Sequence, residues 1–312
     1  MRNHKQRPAT GSRSRLAAAA IAGAVAACLA AAGCSGAAPG TLLGSGHPTV
    51  GTATAVASHG PLTGPPADLT GPPADPFAGT PAEHWTDGAA GIVLPPARPA
   101  GSFRTAQVKL AYEWTRKMLI AGELDKTTLD GGTPSAFADL LTSGDRKWFL
   151  DNLNLKGKDK NGTPLSSRAE VVSFAPGSVQ FVTNVIRVHG TMSAQASSYK
   201  GVKVLDVRVN YLFTYAVEPP HHPEQWMRLV SETGWLLQFG SWQGAATTFE
   251  PWFSITDSAG IAGNSCGNTD GFVHPFWPGV VRHPSESGSG VPVNPYVPGQ
   301  AKTATCQSTT GT

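Results

Sequence analysis

Charge is thin along this chain and follows no pattern that would serve a polyanion. Only 14% of the 312 residues are Asp, Glu, Lys or Arg. No run of Lys or Arg interleaved with aromatics occurs; Lys156, Lys158 and Lys160 fall in an Asn/Gly-containing loop and read as solvated surface. The formal excess of +3 is itself confined to the start, because Arg2, Lys5, Arg7, Arg13 and Arg15 carry no acidic counterpart. Without those five, 24 − 5 = 19 Lys+Arg face 21 Asp+Glu, a net of −2. Bulk attraction to nucleic acid is thereby excluded for the remainder. Cofactor frames are lacking too: Gly260-Ile261-Ala262-Gly263 has no strand–turn–helix setting for a phosphate, so no cofactor is expected. Cysteine is scarce, with four in all.

What is present begins with a targeting segment. The basic head is followed by an uncharged, Ala-rich apolar run from Leu16 to Ala32, and small residues Ala31-Ala32-Gly33 precede Cys34. This is the pattern of an export signal, and the run is marginal for a membrane span. Around it, Leu29-Ala30-Ala31-Ala32-Gly33-Cys34 resembles the lipobox of bacterial lipoproteins, with Ala31 where that family usually has Leu. The resemblance implies a signal at residues 1–33, lipidation at Cys34 and a site on the extracytoplasmic face of the cell membrane. The bland alternative is an ordinary signal cut that leaves Cys34 a free thiol in a secreted chain. Cys28 is lost with the signal in either case. With Cys34 consumed by lipid, Cys266 and Cys306 remain as a pair, and an exported chain lives where such pairs are oxidised. A bridge across the 39 intervening residues would contribute about 3–4 kcal/mol in the chain-entropy view.

From residue 34 to about residue 100 the composition is Pro, Gly, Ala, Thr and Ser, including the repeat Leu62-Thr63-Gly64-Pro65-Pro66-Ala67-Asp68 and Leu69-Thr70-Gly71-Pro72-Pro73-Ala74-Asp75. Such a stretch buries too little to offset its ordering entropy, so a disordered tether is expected. Glu83-His84-Trp85 and Gly91-Ile92-Val93-Leu94 are apolar islands that could dock on the domain as a loose strand.

The folded domain is expected over residues 101–248. Phe103, Ala106, Leu110, Trp114, Met118 and Ala121 recur at helical spacing, with Gly122 as the stop. A second helix is signalled by Thr133-Pro134 and runs through Phe137, Leu140 and Leu141. A third spans about Gly144 to Leu153, with Trp148, Phe149 and Leu153 inward. Strands follow at Ala169–Phe174 and Ser178–Gly190, then a loop near Ala194–Lys200. The stretch Val202–Val217 alternates apolar and polar over its whole length without Gly or Pro, the signature of a long antiparallel strand. Pro219-Pro220-His221-His222-Pro223 ends it. Trp226–Val230, a turn at Glu232-Thr233-Gly234, and Trp235–Trp242 complete about five strands. Helices first and antiparallel strands after make an α+β domain, helices closing one face of a strongly curved sheet. Residues 249–312 carry no period and read as an irregular wrap placing Trp252, Phe272, Phe276 and Trp277 on the sheet.

This order, with Tyr112-Glu113-Trp114 on the first helix, Tyr211–Tyr215 on the long strand and Trp226…Gly234-Trp235…Trp242 after it, resembles the nuclear transport factor 2-like superfamily; a cystatin-like fold shares the same logic. The resemblance implies a cone-shaped domain such as several actinobacterial envelope and secretion lipoproteins carry. It also implies that an acid at the bottom of the cone could serve an isomerase or cyclase.

Candidate chemistry is sparse. His221-His222-Pro223-Glu224 offers adjacent imidazoles that diverge in an extended loop, short of the ligands zinc needs, so no metal is expected. Cys266 with His274 could make a thiol and base, but a bridged cysteine is the plainer reading. Ser254, Ser258 and Ser265 are read as lying outside a nucleophile elbow, the Gly-x-Ser-x-Gly spacing being taken as missing. Glu113 and Asp206 are the candidate cone acids, and both fall on polar faces, where solvation is the simpler account. Trp114, Tyr211, Tyr215, Trp235 and Trp242 could line a concave apolar pocket or simply fill the core. No catalytic residue is assigned. The expected function is a membrane-anchored, non-catalytic binding or envelope accessory module. Its expected partners are an envelope protein or a small apolar ligand, with the membrane held through Cys34. An extracytoplasmic isomerase- or cyclase-like enzyme is the alternative.

Overall fold

The computed structural model describes residues 71–160, 165–199, 201–240, 250–265, 268–279 and 293–300, with the backbone alone for 250–259. The signal, Cys34, residues 35–70, Trp242, Cys266, Cys306 and residues 301–312 lie outside them. The described residues hold four α-helices: α1 Thr105–Glu123, α2 Lys126–Leu129, α3 Ser135–Ala138 and α4 Ser143–Asp151. Six strands form one antiparallel sheet: β1 Thr86–Asp87, β2 Gln180–Phe181, β3 Arg187–Tyr199, β4 Val202–Glu218, β5 Met227–Gly240 and β6 Glu250–Ala262. The α+β class follows. No helix of the described residues is long and apolar enough to cross a membrane.

The alternating stretch becomes β4, and the sheet is laid out from it in the order β1-β3-β4-β5-β6, with β2 also beside β4. On one face Leu205, Val207, Val209, Tyr211, Phe213, Tyr215 and Val217 join the main core, together with α1 residues Val108, Ala111, Met118 and Leu119. On the other, Leu212 and Ala216 join Phe77, Ala82, Val230, Ala262 and Tyr296 in a second cluster. β4 is therefore covered on both faces along its C-terminal half. That is why its even positions turn from Asp206, Arg208 and Asn210 to Leu212, Thr214 and Ala216.

Several boundaries differ from the sequence expectations, each for an identifiable reason. Residues 71–100 are not a free tether: Phe77 is 1% and Ile92 2% exposed. Arg228 Nε donates to the Pro76 carbonyl at 2.5 Å, and Thr86↔Val188 and Asp87↔Arg187 pair β1 with β3. The few apolar residues of this low-complexity stretch find a preformed sheet face, which composition alone does not register. Ala169–Phe174 is a 3-10 turn over Ser167–Glu170 followed by irregular chain, with Phe174 bridging Val273. β3 begins at Arg187 and runs through the expected Ala194–Lys200 loop to Tyr199, which pairs with Val202; Gly201 before it has a positive φ of 80°. Glu232-Thr233-Gly234 is not a turn but the middle of β5, where Gly234 marks a bulge against β6. Residues 250–262, expected to be irregular, are β6.

The helical stripe is rotated only in part: Phe103, Met118 and Ala121 are buried as expected and Trp114 is half-buried. Leu110 is 43% exposed and Ala106 is exposed, whereas Val108, Ala111, Tyr112, Thr115, Leu119, Gly122 and Glu123 are buried. Both series have helical spacing; the sheet takes the second together with the two ends of the first. α2 was not expected, and Trp148 of α4 stands 44% exposed while Phe149 and Leu153 are inward.

Candidate functional site

The rotation of α1 brings its last residue, Glu123, under the helix and over the sheet. Its side chain is 2% exposed. From β5, Thr233 Oγ1 donates to Oε1 at 2.9 Å; from β4, the Tyr215 hydroxyl stands 3.1 Å from Oε2 and 3.0 Å from the Glu123 carbonyl. Both carboxylate oxygens therefore have partners, as a buried acid requires. Burial is nonetheless the larger influence, and it lifts the Glu123 carboxyl to about 7 against the bonds that favour the anion. Burial and the neighbouring acid hold the Tyr215 hydroxyl well above its ordinary value, so it remains a donor.

Aromatics close the surroundings. Trp235 is 3% exposed and meets Phe137 edge-on at 6.0 Å; Phe137 meets Phe149 at 5.2 Å; Phe174 meets Tyr215 at 6.0 Å. Tyr211 is fully buried and its hydroxyl donates to the Val93 carbonyl at 3.3 Å. Trp114 is half-buried, its Nε1 donating to the Leu140 carbonyl at 3.1 Å and tying α1 to the turn after α3. Of the five aromatics singled out from sequence, Tyr215 bonds Glu123 directly, Tyr211 and Trp235 belong to the same main core, and Trp114 sits at the margin.

The acids named from sequence are elsewhere. Glu113 has a side chain 44% exposed, 3.7 Å from Lys109, and Asp206 accepts from Gln238 Nε2 at 2.8 Å on the opposite face of the sheet. Glu123 was missed because Gly122 reads as a helix stop, and Thr233 because its neighbours read as a turn. The signal was the second helical series, which reaches residue 123 four positions after Leu119.

A second polar centre holds the C-terminal arm. Arg168 Nη1 donates to the Gly132 carbonyl at 2.9 Å and to Ser173 Oγ at 3.0 Å, and its guanidinium lies 4.2 Å from the centre of the Phe272 ring. Val273 pairs with Phe174 and is 2% exposed, while Trp277 packs on the main core. His274 Nε2 lies 3.1 Å from each Asp270 oxygen. Gly263-Asn264-Ser265-Cys266-Gly267 has the Gly-x-Ser-x-Gly spacing after all. Its frame is that of a strap, however: Gly263 turns out of the antiparallel β6 with φ 88°, and the described residues 268–279 hold no helix. The Ser265 backbone pairs with the His274 carbonyl at 2.8 Å, but no hydrogen bond joins its hydroxyl to the imidazole. At the β4–β5 hairpin, His222 Nδ1 meets Glu224 Oε1 at 3.0 Å, and no group of three or more potential metal ligands exists among the described residues.

Neither a family model, nor a curated protein, nor a solved structure matches this chain.

Proposed function

We propose that the chain is an exported, lipid-anchored protein whose α+β domain is a non-catalytic binding or accessory module of the cell envelope, of nuclear transport factor 2-like type with a curved sheet. One observation carries the non-catalytic half. Glu123, the buried acid where helix and sheet meet, is 2% exposed and bonded at both oxygens inside an aromatic-filled core. An acid that works on substrate needs an opening to it. The enzymatic alternative would fall to Glu170, which is half-buried and raised to about 8 by burial, but among the described residues it has no ion-pair partner. Acid–base work calls for a second group. The ligand of the module is an envelope protein or a small apolar molecule.

Anchoring is tested by metabolic labelling with a fatty acid in wild type and Cys34→Ser. Label and membrane retention should both disappear in the variant; membrane retention without label in wild type would remove the lipid anchor. The bridge between Cys266 and Cys306 is proposed as the clasp of the C-terminal arm. Ala262 and Tyr296 share one apolar cluster, and the two cysteines follow them by 4 and 10 residues, within reach of each other by chain length. Alkylated mature protein should gain two modified thiols only after reduction. Two thiols modified without reductant would dismiss the bridge.

A further inference from the structure

Seven large apolar side chains among the described residues are exposed, and four of them, Trp148, Leu150, Leu155 and Leu165, belong to α4 and the loop after it. Scattered exposed apolar residues are ordinary; a concentration is not. The loop is folded back on the helix end. Asn152 Nδ2 donates to the Trp148 carbonyl at 2.6 Å, Ser167 N to the Asn152 carbonyl at 3.2 Å, and Ser166 Oγ to the Leu153 carbonyl at 2.7 Å. Leu165 N donates to the Gly157 carbonyl at 3.0 Å. These bonds gather the end of α4, Leu155 and Leu165 at one corner of the domain, with Trp148 and Leu150, two positions apart, on different flanks of the helix. Within the same loop Lys156, Lys158 and Lys160 are exposed and make no ion pair among the described residues. Lys147 is already paired with Asp151 at 2.7 Å. With Asp159 among the three lysines, the loop 152–166 carries 3 − 1 = +2, on a chain whose net charge after the signal is −2.

We infer that this corner is an interfacial contact for an anionic lipid surface: the Trp and Leu side chains enter the headgroup boundary and the three lysines meet lipid phosphates. Indole at the headgroup level, apolar side chains below it and ammonium groups beside the phosphates is the arrangement such surfaces favour. A soluble polyanion would engage the lysines and leave the four apolar groups in water, so the lipid surface accounts for both halves of the patch. Each lysine adds a modest attraction, but the anchor proposed at Cys34 keeps the domain close to the bilayer, where a weak contact suffices to orient it. The inference rests on that proposed location, yet its test does not require the lipid.

The test uses the chain from residue 34 onward with Cys34→Ser, so that no acyl chain contributes. Co-sedimentation is measured with vesicles of phosphatidylcholine alone and with 3:7 phosphatidylglycerol:phosphatidylcholine. Binding should be confined to the anionic vesicles and should weaken as salt rises. It should fall at least tenfold in Lys156→Glu/Lys158→Glu/Lys160→Glu and, separately, in Leu155→Ser/Leu165→Ser, both keeping the wild-type melting temperature within a few degrees. Brominated lipid should quench wild type more than Trp148→Phe. Equal binding to neutral vesicles, no binding to anionic ones, or full binding by either multiple variant overturns the inference. Binding to soluble polyglutamate as tight as to anionic vesicles overturns it in favour of a polyanion partner. A chain that binds vesicles here but takes no fatty-acid label in cells would keep the surface and discard the anchor.

Discussion

Glu123→Ala should lower the unfolding free energy at pH 5 by about 3 kcal/mol, within the range for removing a buried hydrogen-bonded side chain and leaving a partner hydroxyl and a void behind. Thr233 Oγ1 would lose its acceptor, while Tyr215 would keep the residue-123 carbonyl at 3.0 Å. Glu123→Gln keeps the volume and most of the bonds and should cost about 1 kcal/mol at the same pH. The difference between wild type and the Gln variant should then change sign with pH. The folded Glu123 carboxyl sits at about 7 against an ordinary 4.5, so between those values the folded state holds a proton that the unfolded state has released. Stability is highest below about pH 4.5 for this group and falls as pH rises to about 7, by about 3 kcal/mol in total. Glu123→Gln has no such slope and should be the more stable protein at pH 8. Glu170, raised to about 8, adds to the decline in both proteins and cancels in their difference. Asp270, whose carboxyl burial pushes up but the Phe272 amide and His274 together hold low, acts oppositely and only in acid, below the ordinary carboxylate range. Denaturant titrations of the two proteins from pH 5 to pH 8 read this directly. A pH-independent difference would mean that Glu123 is solvated.

Gly190→Ala should be at least as damaging, costing about 3 kcal/mol or more. Gly190 lies opposite Tyr211 in the β3–β4 ladder, and a methyl group there would stand 2.5 Å from both the Tyr211 Cα and its ring Cδ1, besides meeting the Asn210 carbonyl. Rotating the ring away cannot relieve contacts with backbone, so the strands would have to separate at their centre. The conformation of Gly190 is not the issue, since its φ is not positive; the missing side chain is what lets the tyrosine ring lie flat across β3. A reduced denaturation midpoint in Gly190→Ala, not rescued by Tyr211→Leu, is the expected result. A midpoint unchanged from wild type would contradict the β3–β4 register.

Alternation along Val202–Val217 made β4 legible, because a half-buried strand writes its two faces into successive residues. The helix-before-sheet order was legible for the same reason. The rest was hidden where one physical pattern admits two solutions. Two stripes on α1 have equal helical spacing, and only the sheet chooses Val108, Thr115 and Leu119 over Ala106 and Leu110. Glu232-Thr233-Gly234 has turn composition, yet tertiary pairing on both sides keeps it extended: Glu232, itself buried, accepts from the Gly299 amide at 2.5 Å, and Thr233 donates to Glu123. Phe77 and Trp85 are isolated in a Pro/Gly-rich stretch, and their burial depends on a surface made by residues more than a hundred positions away. Trp85 stacks on His189 at 5.3 Å and meets Tyr296 edge-on at 5.8 Å. Tyr211, Tyr215 and Trp235 were identifiable as core aromatics; the acid bonded to Tyr215 was not, since a glutamate after Gly122 looks like a helix end in water.

The central claim, that the acid at the junction of helix and sheet is sealed inside a filled core, is most directly tested by carboxyl labelling. Mature protein is treated at pH 5.5 with a carbodiimide and glycine ethyl ester, and modification is mapped by peptide mass. The reagent prefers protonated acids, and Glu123 is protonated at that pH, so slow reaction would report burial rather than ionisation. The account predicts that Glu113, with 44% of its side chain exposed, is modified readily while Glu123, at 2%, stays untouched until the chain is unfolded. Glu123 modified in the native protein as fast as Glu113 would contradict it, and would reopen the cone as a working cavity.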